Sequence, residues 1–230
     1  MIGREKELSF ITKGFTKGGL LRSSIVLGPE GMGKTIFLDE IKSAFLSEEL
    51  KSLVIAPSPC DAKDLPSVVS SMVRHMSAGA DMKKSQIGKF ARFLGTQIIQ
   101  IETALREDGD IDKFGKQLAK TLVTGIEDTI IHSGIDLKQV KPLLLIDDLD
   151  KMDEKIREWF SGPFNKEIRK SALFKNCRFL FSANEESDNT SKFFADFGFE
   201  KTLSLKLPSF TSDQCIQFAQ SIGHKISNAE

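Results

Sequence analysis

The stretch GPEGMGKT at residues 28–35 constrains this chain more than any other feature. It has the spacing G-x-x-x-x-G-K-[ST], with the apolar run SSIVL directly before it and KTIFLDEIKSAFLSEEL directly after. The run in front reads as a strand covered on both faces, and the segment behind puts Phe37, Ile41, Ala44 and Phe45 on one helical face. A glycine loop between a strand and a helix is the context in which this spacing has a mechanism. Gly31 and Gly33 let the backbone curl so that successive N–H groups point at an anion. The following helix adds its positive end. Lys34 can reach the β- and γ-phosphates of a nucleotide, and Thr35 can offer its hydroxyl to Mg²⁺. The candidate nucleotide contacts are therefore Gly28, Pro29, Glu30, Gly31, Met32, Gly33, Lys34, Thr35 and Ile36. The bland alternative is an ordinary glycine-rich strand-to-helix turn.

The rest of the chain alternates in the same way. Residues 3–17 carry Leu8, Ile11 and Phe15 at helical spacing, ended by GG at 18–19. SLVIAP is a second strand, stopped by Pro57 and Pro59. Residues 66–133 read as helical throughout, from PSVVSSMVRHMSAG to two long amphipathic segments on either side of EDGDID. The first of these carries Ile87, Phe90, Phe93, Leu94, Ile98, Ile101 and Leu105, the second Ile111, Phe114, Leu118, Leu122, Ile126 and Ile130. They read as an antiparallel pair whose stripes either pack on the domain or present a partner-binding face. KPLLLIDDLD, CRFLFSAN and KTLSLKLP are three more strands, with a charged helix at 153–171 and a short glycine-ended helix at SKFFADFG. FTSDQCIQFAQSI opens with a capping pattern at Thr211 or Ser212. Five strands alternating with helices imply an α/β fold of three layers around a mainly parallel sheet. The predicted domain spans 1–210, with 66–133 a helical insertion and 211–230 the start of a helical lid.

A phosphate loop of this type needs an acid on a neighbouring strand to hold Mg²⁺, and LLLIDD supplies it. Leu143 to Ile146 fill the strand and Asp147 falls at its carboxyl end. Asp148 is next; at a strand end the chain turns, so this carboxylate either polarises a water or caps the next helix. Asp150 and Asp153 read as caps or solvated charges. The SLVIAP strand, lying between loop and acid in sequence, suits a sheet in which another strand separates the two. Asn184, ending the next strand, is placed to orient the attacking water; the alternative is an ordinary loop-starting Asn.

These residues together resemble a family. IGREKEL ahead of the phosphate loop, then an apolar strand ending in DD, then a strand ending in Asn, are similar to the AAA+/STAND branch of P-loop ATPases of the ASCE type, with some KAP-like character in DDLDK. Within that branch the chain resembles the group with a GRE box, itself similar to origin-recognition and initiator ATPases. The resemblance implies ATP as the nucleotide, Mg²⁺ as cofactor, Ile2, Gly3 and Arg4 in the adenine pocket, and Pro208 at the entrance to a helical lid. It also implies a homo-oligomer or a partner protein. It implies an arginine finger between the Asn-bearing strand and the next, yet Arg178 is the last arginine of the chain. Arg169 and Arg178 are the available substitutes. The chain reads as the nucleotide-binding core of something longer, or as a minimal ATPase that borrows the missing parts from a partner.

Composition bounds the alternatives. Lys plus Arg and Asp plus Glu are both 32, so net charge offers no general attraction to nucleic acid or to an anionic membrane. No apolar run approaches the roughly 20 residues of a membrane span, and MIGREKEL lacks a signal peptide's apolar stretch. A soluble, cytoplasmic protein is expected. Cys60, Cys177 and Cys215 show no metal-ligand spacing and read as reduced structural thiols. The chain has 18 Phe and no Tyr, a bias with no functional reading at this level. The function predicted is Mg²⁺-dependent ATP binding and hydrolysis. One alternative is a slow nucleotide switch, favoured by the missing arginine. Another is a DNA-acting initiator or loader using Lys83, Lys84, Lys89 and Arg92, or Lys166, Arg169, Lys170, Lys175 and Arg178. A small-molecule kinase is the remotest.

Overall fold

A computed structural model describes residues 4–15, 21–46, 52–57, 62, 64–78, 84–108, 111–132, 134, 136–184, 188–199, 202–209, 211–214 and 216. The elements run α1 (Glu5–Phe15), β1 (Ser23–Leu27), α2 (Lys34–Leu46), β2 (Ser52–Ile55), α3 (Leu65–Arg74), β3 (Met76–Ala78), α4 (Lys84–Asp108), α5 (Ile111–Ile131) and β4 (Lys141–Ile146). Then come a 3₁₀ turn (Leu149–Lys151), α6 (Glu154–Trp159), α7 (Asn165–Lys170), β5 (Arg178–Ala183), α8 (Asp188–Phe197) and β6 (Leu203–Lys206). All five expected strands are present, and they pair in parallel in the order β2-β4-β5-β1-β6. A sixth, β3, runs antiparallel at the β2 edge. It lies in a segment whose sequence reads as helix; its three residues are too few for a period, and the open edge of β2 recruits them.

The strands are apolar on both faces because both faces are covered. Val26, Val54, Leu143, Leu145 and Leu180 point to one side, against Ile11 and Phe15 of α1 and Phe37, Ile41 and Phe45 of α2. Their neighbours Ile25, Leu53, Leu144, Ile146, Phe179 and Phe181 point to the other, against α3 to α8. The segment 66–133 joins this second core. Phe114, Leu118, Leu122, Ile126 and Ile130 of α5 are buried at every fourth position, as are Phe90, Leu94 and Ile98 of α4. The two helices pack antiparallel, since Phe90 near the start of α4 meets Gly125 late in α5. An added Cβ at Gly125 would lie 2.4 Å from the Phe90 ring. Phe93, part of the expected stripe, is 52% exposed instead.

The phenylalanine bias has a structural reason. Phe179 and Phe181 stand two apart on one face of β5 with rings stacked at 6.4 Å. Helix α8 lowers Phe193, Phe194 and Phe197 onto them, with ring centroids 5.2–5.6 Å apart, and Phe199 closes the cluster. A tyrosine hydroxyl in this dry stack would need a partner, and losing one costs about 1–3 kcal/mol. Each aromatic pair adds about 0.5–1.5 kcal/mol beyond burial. This cluster clamps the strand that delivers Asn184.

The charged helix expected at 153–171 is α6 and α7, joined by a wide π turn at Phe160–Phe164 that takes up Pro163. Asp153 caps it by accepting from Lys155 N. Thr211 and Gln214 exchange backbone and side-chain hydrogen bonds (2.9 and 3.3 Å), the reciprocal capping pattern expected there.

Candidate functional site

Three strand ends converge. β1, β5 and β4 are adjacent in that order, so the strand that precedes the phosphate loop and the strand that ends in acid are separated by the one that ends in Asn. The loop takes the curl that its glycines permit, with φ of 82° at Gly31 and 80° at Gly33. An added Cβ at either meets no atom within 4 Å, so it is the backbone conformation that selects glycine. Helix α2, thirteen residues long, begins at Lys34 with its positive end at the loop.

Lys34 is 6% exposed. Its ammonium donates to Gly28 O (2.7 Å), Pro29 O (3.2 Å) and Asn184 Oδ1 (2.8 Å). A buried charge needs such partners, and here they hold it inside the loop. Beside it Thr35 Oγ1 donates to Asp147 Oδ2 at 2.5 Å. The other Asp147 oxygen accepts from Ser182 Oγ and from Asp148 N (3.1 Å). A hydroxyl and a carboxylate in contact at the mouth of a phosphate loop are the oxygen donors that Mg²⁺ takes. Among the described residues no cluster of three or more His, Cys, Asp or Glu forms a separate metal site.

Asp148 leaves the strand in the left-handed conformation (φ 50°, ψ 49°) and is the only described non-glycine residue with positive φ. Strand alternation would send it to the face opposite Asp147; the left-handed turn breaks that alternation. It starts the 3₁₀ turn without a side-chain cap. Its carboxylate meets Lys151 Nζ at 3.1 Å instead, and Lys151 also reaches Glu30 of the loop at 3.5 Å. The hydrogen bond with Asp148 is the main reason the Lys151 pKa is raised.

Two site residues escaped the sequence reading. Asp150, expected to be a cap or a solvated charge, accepts from both Asn184 N (3.2 Å) and Asn184 Nδ2 (2.9 Å). Ser182, fully buried in β5, donates to Asp147 and accepts from Asp148 N at 2.9 Å. Its signal was there to read: a serine inside an apolar strand must find a partner.

Ile2 and Gly3, expected in the adenine pocket, lie outside the described residues. Arg4 directly precedes α1 and is 1% exposed; burial lowers its pKa and Glu7 partly offsets this. Pro29, Glu30 and Ile36 are exposed around the loop, and Met32 is half-buried. Pro208 is exposed one residue beyond Leu207, whose N–H bonds Leu27 O at 2.9 Å beside Gly28.

Neither substitute arginine is near. Arg178 opens β5, at the amino-terminal edge of the sheet, a strand's length from Asn184; burial lowers its pKa. Arg169 donates to Phe197 O (2.7 Å) and Asn165 Oδ1 (3.1 Å), closing the end of α8. It lines a small cavity with Arg22 and Phe179, again at the amino-terminal edge. In the same basic cluster Lys170 pairs with Glu167 at 2.7 Å. No helix of the described residues is long and apolar enough to cross a membrane.

No family model and no curated protein matches the chain. Solved structures do. Cdc6p from Pyrobaculum aerophilum superposes with a TM-score of 0.56 at 14% identity, over 95% of this chain and 48% of its own. Orc1 of Aeropyrum pernix, solved in complex with DNA, does so at 0.51 and 13% identity, over 96% and 49%. The chain thus spans about half the length of the structures it matches. At such identity the likeness is one of architecture alone: a mainly parallel sheet with helices on both faces.

Proposed function

We propose that this chain binds ATP with Mg²⁺ and hydrolyses it slowly, coupling nucleotide state to assembly with a second copy or a partner protein. One observation carries the reading: Lys34, Thr35, Asp147 and Asn184, from three separate segments, meet within hydrogen-bond distance at the carboxyl ends of β1, β4 and β5. Lys34 and the loop amides suit the phosphates. Thr35 and Asp147 suit the metal, which when bound would supply positive charge against the charge that develops on the phosphates. Asn184 orients a water and Asp148 accepts its proton. Arg4, with Ile2 and Gly3 before it, forms the adenine side, and Pro208 the lid side.

The placement of Arg169 and Arg178 supports slow turnover. A finger is worth about 10³–10⁵ in rate where present, and both available arginines serve the far edge of the sheet. An isolated chain then behaves as a nucleotide switch until a partner supplies the cation. The test is binding of labelled ATP. Lys34→Ala should lose it, and binding as tight as the parent's would sink the reading. Single-turnover hydrolysis by Asp148→Asn then separates enzyme from switch: a rate equal to a measurable parental rate removes Asp148 as the base.

A further inference from the structure

The water-orienting role of Asn184 depends on how its amide is held, so any inference from that amide rests on the proposed ATPase activity. The oxygen and the NH₂ of a primary amide are almost the same shape, so its partners decide which way round it sits. At Asn184 the backbone N and Nδ2 both end on Asp150, at 3.2 and 2.9 Å. A carboxylate only accepts. The NH₂ therefore faces Asp150, and Oδ1 faces the Lys34 ammonium at 2.8 Å.

We propose that Asp150 is a positioning residue: it locks the Asn184 amide so that the site presents an acceptor, Oδ1, beside Lys34. With Lys34 engaged by phosphate, that acceptor holds a hydrogen of the attacking water. A reversed amide would present a donor and turn the water the wrong way. Among the described residues the hydrogen bonds that Asp150 accepts come from the backbone and the side chain of Asn184, and neighbouring groups carry the turn. The turn begins at Asp148, Asp153 caps α6, and Lys151 pairs with Asp148 and Glu30.

The test is Asp150→Asn, which keeps the shape but leaves Asn184 an acceptor for only one of its two donors. Single-turnover ATP hydrolysis should slow roughly 10- to 100-fold, the usual size of an outer-shell effect, with ATP affinity little changed because Lys34 and Thr35 are untouched. On an Asn184→Ala background the same substitution should add nothing, since Asp150 acts through Asn184. A parental rate, or full additivity in that cycle, overturns the proposal. A second readout needs no nucleotide. The ¹⁵N side-chain amide signals of Asn184, identified by their loss in Asn184→Ala, should shift and exchange faster in Asp150→Asn. If the parent hydrolyses no faster than Lys34→Ala, the ATPase reading falls, and these signals still decide the locking: unchanged resonances overturn it.

Discussion

Asp148 offers a test in which the sign of a stability change reports the shape of the site. The residue sits at φ 50° and ψ 49°. An L-residue with no local hydrogen bonding pays about 1–2 kcal/mol for that conformation. Asp148→Ala carries this penalty in full. Asp148→Gly carries none of it but loses about 0.5–1 kcal/mol through the freedom of glycine in the unfolded chain. The difference leaves the Gly variant about 0–1.5 kcal/mol more stable than the Ala variant, centred near 0.75, the reverse of the order found in a helix or strand. For a chain of this size the central value is about 1.5–3 °C in Tm. Both variants remove the contact with Lys151, so it cancels from the comparison. Urea and thermal unfolding of the two proteins side by side measure the gap, and both should still bind nucleotide while losing hydrolysis. An Ala variant more stable than the Gly variant by the margin of ordinary backbone, about 0.5–1 kcal/mol, would refute the left-handed turn. Asp148 would then keep to strand alternation, away from Asp147, and its role as base would fall with it.

Placement and burial set two further outcomes. Arg169→Ala should cost about 1–3 kcal/mol through its bonds to Phe197 O and Asn165. It should leave single-turnover hydrolysis unchanged, and a tenfold loss of rate would restore Arg169 as a finger. The buried Cys177 thiol is pushed up from its ordinary 9.0 to about 12, chiefly by desolvation. Because the folded pKa lies above the unfolded one, the thiol's contribution is complete below pH 9 and is lost as pH rises from there toward 12. The parent should therefore lose stability faster than Cys177→Val over pH 9–11, by about 1 kcal/mol per pH unit. Parallel curves would refute the burial argument.

What could be read from sequence was what is local. The phosphate loop declares itself because glycine, lysine and threonine act within eight residues of one another, and the flanking strand and helix have their own periods. The place of Asp147 at the end of a strand was legible for a similar reason, since the apolar run before it is consecutive. Thr211 with Gln214, and Asp153 with Lys155 N, are contacts within one turn; the sequence left Thr211 or Ser212 as the cap, and Asp153 as a cap or a solvated charge, and the structure selects Thr211 and the cap.

Tertiary structure decided everything that joins distant segments. Asp150 and Asn184 are 34 residues apart, and Ser182 and Asp147 are 35 apart. No local pattern marks either pair, because they meet only when β5 comes to lie beside β4. The parallel direction of β5 likewise leaves Arg178 at the amino-terminal edge of the sheet, remote from the loop, and Arg169 lines a cavity at that same edge. The phenylalanine bias acquired meaning only once α8 was laid across β5. By itself the sequence determined a strand, a glycine-rich turn and a helix in immediate succession over residues 23–46, since these are built from consecutive residues. The meeting of Lys34 with Asn184 and of Thr35 with Asp147 belongs to the fold, since it is set by hydrogen bonds between segments that the chain visits far apart.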